Sequence, residues 1–255
     1  MILKVSHDQA LARRHRHVTQ SGALTHIETY LGTNSMELAA QGKSIADMGK
    51  EHGPYPMAFA VEQAPDSVVQ PHFHEADQFQ LFIAGSGRIG THPLEGLAVH
   101  YAGAHSPYGP IAAGPEGVTY LTLRRSWDKG AQWMPQAMSV LREVPTRKYV
   151  AFTSPPLERH PDTASLRGLS LNEVMPYVEG GPGAWQVRAG PGTAVDGPAH
   201  GPGGGQFWFL LSGSLNDGTS TWGAKSCFFV DRGEAARGMV AGDEGVELLL
   251  VQFAS

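Results

Sequence analysis

Short runs in which every second residue is apolar recur along this chain, cut by glycine, proline or aspartate every few positions. Period-two alternation sends successive side chains to opposite faces and marks half-buried strands. On this basis strands are expected at Thr25–Leu31, Tyr55–Val61, Val68–His74, Gln78–Ile83, Leu97–Ala102 and Val118–Arg124. A second series is expected at Lys148–Phe152, Trp185–Ala189, Phe207–Leu211, Ser226–Val230 and Val246–Phe253. Helical signals are few. Asn34–Met48 carries Met36, Ala39, Ala40 and Ile45 behind a cap at Asn34 or Ser35, and Pro135–Glu143 has proline in its first turn. Ser170–Glu173 has capping-box spacing, but Pro176 keeps any helix there very short. The expected class is all-β with a few short helices.

The two series are copies of one pattern. His72 and His200 lie 128 positions apart, as do Gln78 and Gln206, Phe79 and Phe207, Gly85 and Gly213, and Ser86 and Ser214. Glu51, Gly53 and Pro54 match Glu179, Gly181 and Pro182, and Glu116-Gly117-Val118 matches Glu244-Gly245-Val246. Residues 51–125 and 179–253 share 16 identities in 75 positions without a gap. Those identities cluster at turn glycines and strand starts, which set backbone geometry, so the chain divides into residues 1–125 and 126–255. Short antiparallel strands of this kind close into a barrel or jelly roll with room inside for one small ligand.

Composition narrows the function classes. A net charge of −5 and a pI near 6.2 give no electrostatic footprint for nucleic acid or a membrane surface. The basic cluster Arg13–His17 reads as a solvated face. One cysteine, Cys227, forbids an internal disulfide framework and suits a reducing, cytoplasmic setting. Its apolar neighbours mark it as a core residue. No apolar run is long enough to span a bilayer, and Met1-Ile2-Leu3 before Lys4 is too short for an export signal. Gly201–Gly205 lacks the Gly-Lys-Ser/Thr ending of a phosphate loop and leads into a strand, so it reads as a turn.

The chemistry concentrates in Gln70–Gly87. His72 and His74 are spaced to share one face of a strand, and Gln78 opens the next. His72-x-His74, Gln78 four residues on and Gly85 seven beyond resemble the first motif of the cupin superfamily, which usually has Glu at the position of Gln78. Two such copies resemble a bicupin. The resemblance implies two tandem jelly-roll barrels and a single divalent transition metal on His72, His74, Gln78 and one more histidine. His100, inside an apolar strand, and His105, in the following loop, are the two candidates for that last ligand. In the second copy the 128-residue offset replaces His74 by Pro202, His100 by Phe228 and His105 by Gly233, so that copy is expected to be metal-free.

An all-neutral ligand set keeps the ion's full charge and suits an anionic or enolisable substrate. Imidazoles plus an oxygen donor suit Fe(II), with Mn, Ni, Co and Zn as alternatives. Tyr101, Tyr108 and Arg124 are candidates to contact substrate, Arg124 through a carboxylate. The expected activity is a metal-dependent dioxygenase acting on a small organic acid or enolisable carbonyl compound. The alternatives are a non-catalytic binding or sensing protein, or a metal-dependent isomerase or lyase. The expected partners are a small-molecule substrate and a second copy of the chain, with neither nucleic acid nor membrane.

Overall fold

The structure is a computed structural model that describes residues 1–19, 22–43, 55–145, 150–198, 201–234, 236 and 238–255. Strands dominate it, and the described helices are short, as the alternation requires. The expected matches at Glu51, Gly53, Pro54 and His200, and residues 44–48 of the expected first helix, lie outside the described residues.

Residues 11–157 form one compact unit. Its main sheet runs, from edge to edge, Ala151–Thr153, Ala98–Ala102, Gln78–Ile89, Ile111–Arg124, Met57–Gln63, Leu24–Leu31 and His15–Val18, all neighbours antiparallel. Val68–Val69 and His92–Glu95 extend it beside Ile111–Arg124 and Gln78–Ile89. One sheet face buries Ile27, Met57, Phe59, Val61, Phe82, Ala98, Val118 and Tyr120 against each other. The helix expected from Asn34 covers Ser35–Ala40, and the Asn34 side-chain oxygen accepts the Glu37 N–H at 2.9 Å.

Residues 1–10 and 158–255 form the other unit. Its sheet runs Ile2–Val5, Cys227–Val230, Gln206–Asn216, Val240–Gln252, Gly183–Ala189 and Leu169–Met175, with Thr221–Gly223 beside Gln206–Asn216. The division at residue 125 therefore differs from these units at both ends. Ile2–Val5 pairs with Cys227–Val230, and Ala151–Thr153 pairs with Ala98–Ala102.

Three local expectations are corrected. Val68–His74 is not one strand: Val68–Val69 pairs with Ile111–Ala112, while His72–Phe73 pairs with Gln132–Trp133. Pro71, between them, has no N–H to continue a ladder. Leu169–Met175, which contains the capping-box spacing, is a strand, because six residues paired along Gly183–Ala189 outweigh one local cap. The strand from Gln78 does not end at Ile83 but runs on through Gly85 to Ile89. Gly85 has φ +78, and a Cβ there would collide with the carbonyl of Gly117. Gly213, with φ +69, stands in the same relation to Gly245. The repeated glycines thus mark a bulge where two backbones approach.

The two units use this shared register differently. In the first, Gln80 is paired with His100 and with Thr122. In the second, the corresponding position is Trp208, paired with Phe228 and Leu250, and all three are completely buried. An indole among apolar neighbours fills that interior.

Candidate functional site

The polar residues of the first unit meet where three segments converge. His72 sits in the short strand His72–Phe73, and its backbone exchanges hydrogen bonds with Tyr108 at 3.1 and 3.0 Å. This bridge brings Tyr108 beside the motif. Gln78 begins its strand, and Arg124 ends the neighbouring one on the same face. Asp128 follows in the turn after Arg124 and accepts backbone N–H groups from Glu75, Ala76 and Gly130 at 2.9, 3.3 and 2.8 Å.

Hydrogen bonds fix the orientation of each group. The Nδ1 atoms of His72 and His74 lie 2.7 Å from the Gln70 carbonyl and 2.7 Å from Asp128 Oδ1. Both acceptors require N–H at Nδ1, so each Nε2 carries a lone pair. Arg124 Nη2 donates to His74 Nε2 at 3.0 Å and to Gln78 Oε1 at 2.9 Å, and Arg124 Nε donates to the same oxygen at 3.1 Å. Gln78 Nε2 donates to the Tyr108 hydroxyl at 2.6 Å, so that hydroxyl directs its own proton at His72 Nε2, 2.8 Å away. Every proton in this network points outward from the guanidinium.

Burial sets the charges. It lowers the His72 pKa to about 3, assisted by His74 and Arg124, and that of His74 to about 4, assisted by Arg124. Burial raises the Tyr108 pKa. Burial also pushes Asp128 upward, but the His74 hydrogen bond and the Arg124 charge outweigh it and hold the carboxyl well below its usual range. At neutral pH the hydrogen-bonded network therefore contains, among the described residues, the Arg124 cation, the Asp128 anion and neutral partners. Arg124 Nη1 approaches Asp128 Oδ1 at 3.7 Å, and its guanidinium lies over the Phe59 ring at 5.7 Å.

A cavity of about 440 Å³ opens onto this cluster. His72, His74, Tyr108, Arg124, Gln80 and Thr122 contribute its polar wall. Phe59, Val61, Val68, Val69, Tyr120 and Trp133 make the apolar wall, and His17–Thr19 also line it. The volume falls within the usual range for small-molecule sites, and the mixture of apolar wall and few polar groups is the usual one.

Of the residues singled out from sequence, His72, His74, Gln78, Tyr108 and Arg124 are brought together. His100 is not brought into their network. Its Nδ1 lies 2.9 Å from Thr153 Oγ1, its ring is 5.1 Å from that of Tyr108, and its buried Nε2 has no hydrogen-bond partner among the described residues. Burial, then the His92 charge, lowers its pKa to about 3. His105 occupies a left-handed turn, φ +59, with its ring 5.8 Å from Phe73. Tyr101 packs on Phe79 at 4.9 Å, and alternation puts it on the opposite sheet face from Gln78. Asp128 escaped the sequence reading because nothing local marks it. Gln80 carried a signal, since it shares a strand face with Gln78.

The metal implied by the resemblance can be tested against these contacts. Anchored Nδ1 atoms and inward lone pairs are what metal-bound histidines need. The rest of the set opposes a dication. His74 Nε2 and Gln78 Oε1 already accept from a guanidinium, His72 Nε2 already accepts from Tyr108, and Asp128 is committed to His74 and backbone. Among the described residues no three His, Cys, Asp or Glu side chains are grouped to hold an ion. A like charge 4 Å away costs about 4 kcal/mol per unit charge at an effective dielectric constant of 20. In this arrangement the residues do not fit a resident divalent ion.

Comparison with solved structures identifies the architecture. A Nostoc punctiforme protein provisionally assigned as a dioxygenase superposes with a TM-score of 0.59 at 11% identity, over 100% of this chain and 83% of that one. The fold is cupin-like. Bacillus subtilis oxalate decarboxylase, described with Mn(II) centres, matches with a TM-score of 0.55 at 14% identity, over 99% of this chain and 77% of that one. The formate complex of Lactobacillus farciminis oxalate decarboxylase gives 0.55 at 14%, over 99% and 86%. No protein-family model and no curated protein matches the chain. No described helix is long and apolar enough to cross a membrane.

Proposed function

We propose that this chain is a bicupin whose first unit binds and acts on a small organic acid or enolisable carbonyl compound in the cavity at Arg124. The observation that carries this reading is a buried guanidinium in the wall of a 440 Å³, largely apolar cavity. Its Nη1 makes no hydrogen bond among the described residues beyond the 3.7 Å approach of Asp128, so its N–H groups are available to a carboxylate or carbonyl oxygen. Tyr108 is held neutral with its proton aimed at neutral His72, and in this reading its hydroxyl would give up that contact to exchange a proton with a ligand. The second unit, with Trp208 where the first has Gln80, serves as scaffold.

Thermal melts across a panel of mono- and dicarboxylic acids, each beside its neutral amide, test binding. Acids are expected to raise the melting temperature more than their amides, and Arg124→Gln to abolish the difference. Equal shifts by acid and amide would overturn the reading. Turnover is tested by deuterium exchange at the carbon next to the carboxyl or carbonyl group, which Tyr108→Phe should suppress.

A metal-dependent oxygenase using Fe(II), or a neighbouring divalent metal, is the competing reading. It is favoured by the anchoring of both Nδ1 atoms, and it requires Arg124 and Tyr108 to release the three acceptor atoms. Iron at one equivalent per chain, with oxygen consumption on adding an acid, would establish it.

A further inference from the structure

We propose that Arg124 is a built-in replacement for a metal ion: its guanidinium occupies the convergence point of a His-x-His motif and keeps the site free of divalent cations. The inference rests on hydrogen-bond geometry and stands whichever acid the cavity takes.

Three acceptor atoms define the point: His72 Nε2, His74 Nε2 and Gln78 Oε1. Arg124 donates directly to two of them. It reaches the third in relay, because the amide that accepts from Arg124 donates to Tyr108, which donates to His72. A guanidinium offers only donors, in a fixed plane, and keeps its charge at any physiological pH. It can therefore satisfy inward-facing lone pairs as a cation does, without being lost by dissociation.

This accounts for Gln78. A carboxylate there could accept from Arg124 but could not donate to the Tyr108 hydroxyl. The amide does both, and the relay needs both. Charge agrees: Arg124 and Asp128 balance, their side chains being 5% and 0% exposed, so a dication added to them would leave two uncompensated buried charges. Asp128, committed to His74 and three backbone N–H groups, is not free to offset them. In the second unit Gln252, the residue 128 positions beyond Arg124, takes the analogous place: Gln206 Nε2 donates to Gln252 Oε1 at 2.8 Å. A residue of this strand occupies the centre in both units, and only the first carries charge.

The test is metal content, read separately from any acid binding. The full chain is incubated with excess Co(II), Mn(II) or Zn(II), freed of unbound ion, and examined by elemental analysis and by Co(II) visible absorption. Wild type is expected to hold less than a tenth of an equivalent and to show no ligand-field bands. The double variant Arg124→Ala/Gln78→Glu, which removes the cation and creates a two-histidine, one-carboxylate set, is expected to hold about one equivalent. Adding His74→Ala should take it away. One equivalent in wild type, lost in His74→Ala, would overturn the proposal directly, even if the double variant fails to fold. A folded double variant that gains no ion would overturn it as well. Either result leaves the acid-binding reading to be judged by its own melts.

Discussion

Arg124 Nη2 lies 3.0 Å from His74 Nε2, and His74 Nδ1 lies 2.7 Å from Asp128 Oδ1, so a neutral imidazole is clamped between a cation and an anion. The clamp explains why His74 stays neutral beside a carboxylate that would otherwise favour its charged form: burial and Arg124 together outweigh Asp128. It also makes Asp128 essential to the site's balance. Removing one partner of a buried ion pair strands the other and costs about 3–5 kcal/mol. Asp128→Ala is therefore expected to lower unfolding free energy by about 3 kcal/mol or more, measured by urea titration at pH 7. Arg124→Ala/Asp128→Ala together should cost less than the sum of the two single changes. Strict additivity would mean that the clamp does not exist in solution.

Tyr108 gives a separate reading of the network. Its hydroxyl accepts from Gln78 and donates to His72, and both partners are buried. Tyr108→Phe leaves an amide N–H and an imidazole lone pair unpaired, each at about 1–3 kcal/mol. A loss of about 2–4 kcal/mol is expected by chemical denaturation, with the fold kept by far-UV circular dichroism. A loss under 1 kcal/mol would mean that water replaces the hydroxyl without penalty.

Acid should destabilise the protein earlier than its carboxylates alone would dictate. His72, His74 and His100 have folded pKa values near 3, 4 and 3, all depressed first by burial. Between the unfolded value near 6.5 and these folded values, the unfolded chain binds protons that the folded chain refuses. Stability is then fully present above about pH 6.5 and falls with pH at up to ~1.4 kcal/mol per unit for each histidine. Asp128 adds its share lower down, below the ordinary carboxylate value of about 4. His100→Phe, which installs the residue found at the corresponding position 228, should flatten the decline between pH 6 and 5. Unfolding titrations at those two pH values measure it. An unchanged slope would show that His100 is protonated in the folded state.

Much of the fold could be read from sequence because its signals are local and repeated. Alternation marked nearly every long strand, and the 128-residue offset survived because glycines at 85 and 213 face the same backbone obstacle. Strand ends were less legible. Nothing in Gly85-Ser86-Gly87 says that the ladder continues to Ile89, since a bulge and a turn call for the same residues. The site was legible as a cluster but not as a circuit. His72, His74 and Gln78 announce themselves by spacing, whereas Asp128 reaches His74 from 54 residues away and only folding reveals the contact. The histidines at 100 and 105 drew notice as residue types, while the backbone bridge from His72 runs to Tyr108. That bridge is a long-range pairing with no sequence period of its own.

The glycine pair provides a test of the repeat that is independent of the site. Gly85 and Gly213 adopt positive φ, and a methyl group at either would meet the carbonyl of Gly117 or Gly245. Alanine at a positive φ costs about 1–2 kcal/mol from the backbone alone, and collision with a backbone atom adds to it because neither strand can yield without breaking the ladder. Gly85→Ala and Gly213→Ala are each expected to lose about 2–4 kcal/mol, read by urea titration. Gly218 has φ +84 but open space around its Cβ position, so Gly218→Ala isolates the conformational part and should lose only about 1–2 kcal/mol. If all three variants lose the same amount, the close approach of the two backbones contributes nothing. A larger loss at 85 and 213 than at 218 would establish that both units are built around the same strand-to-strand contact.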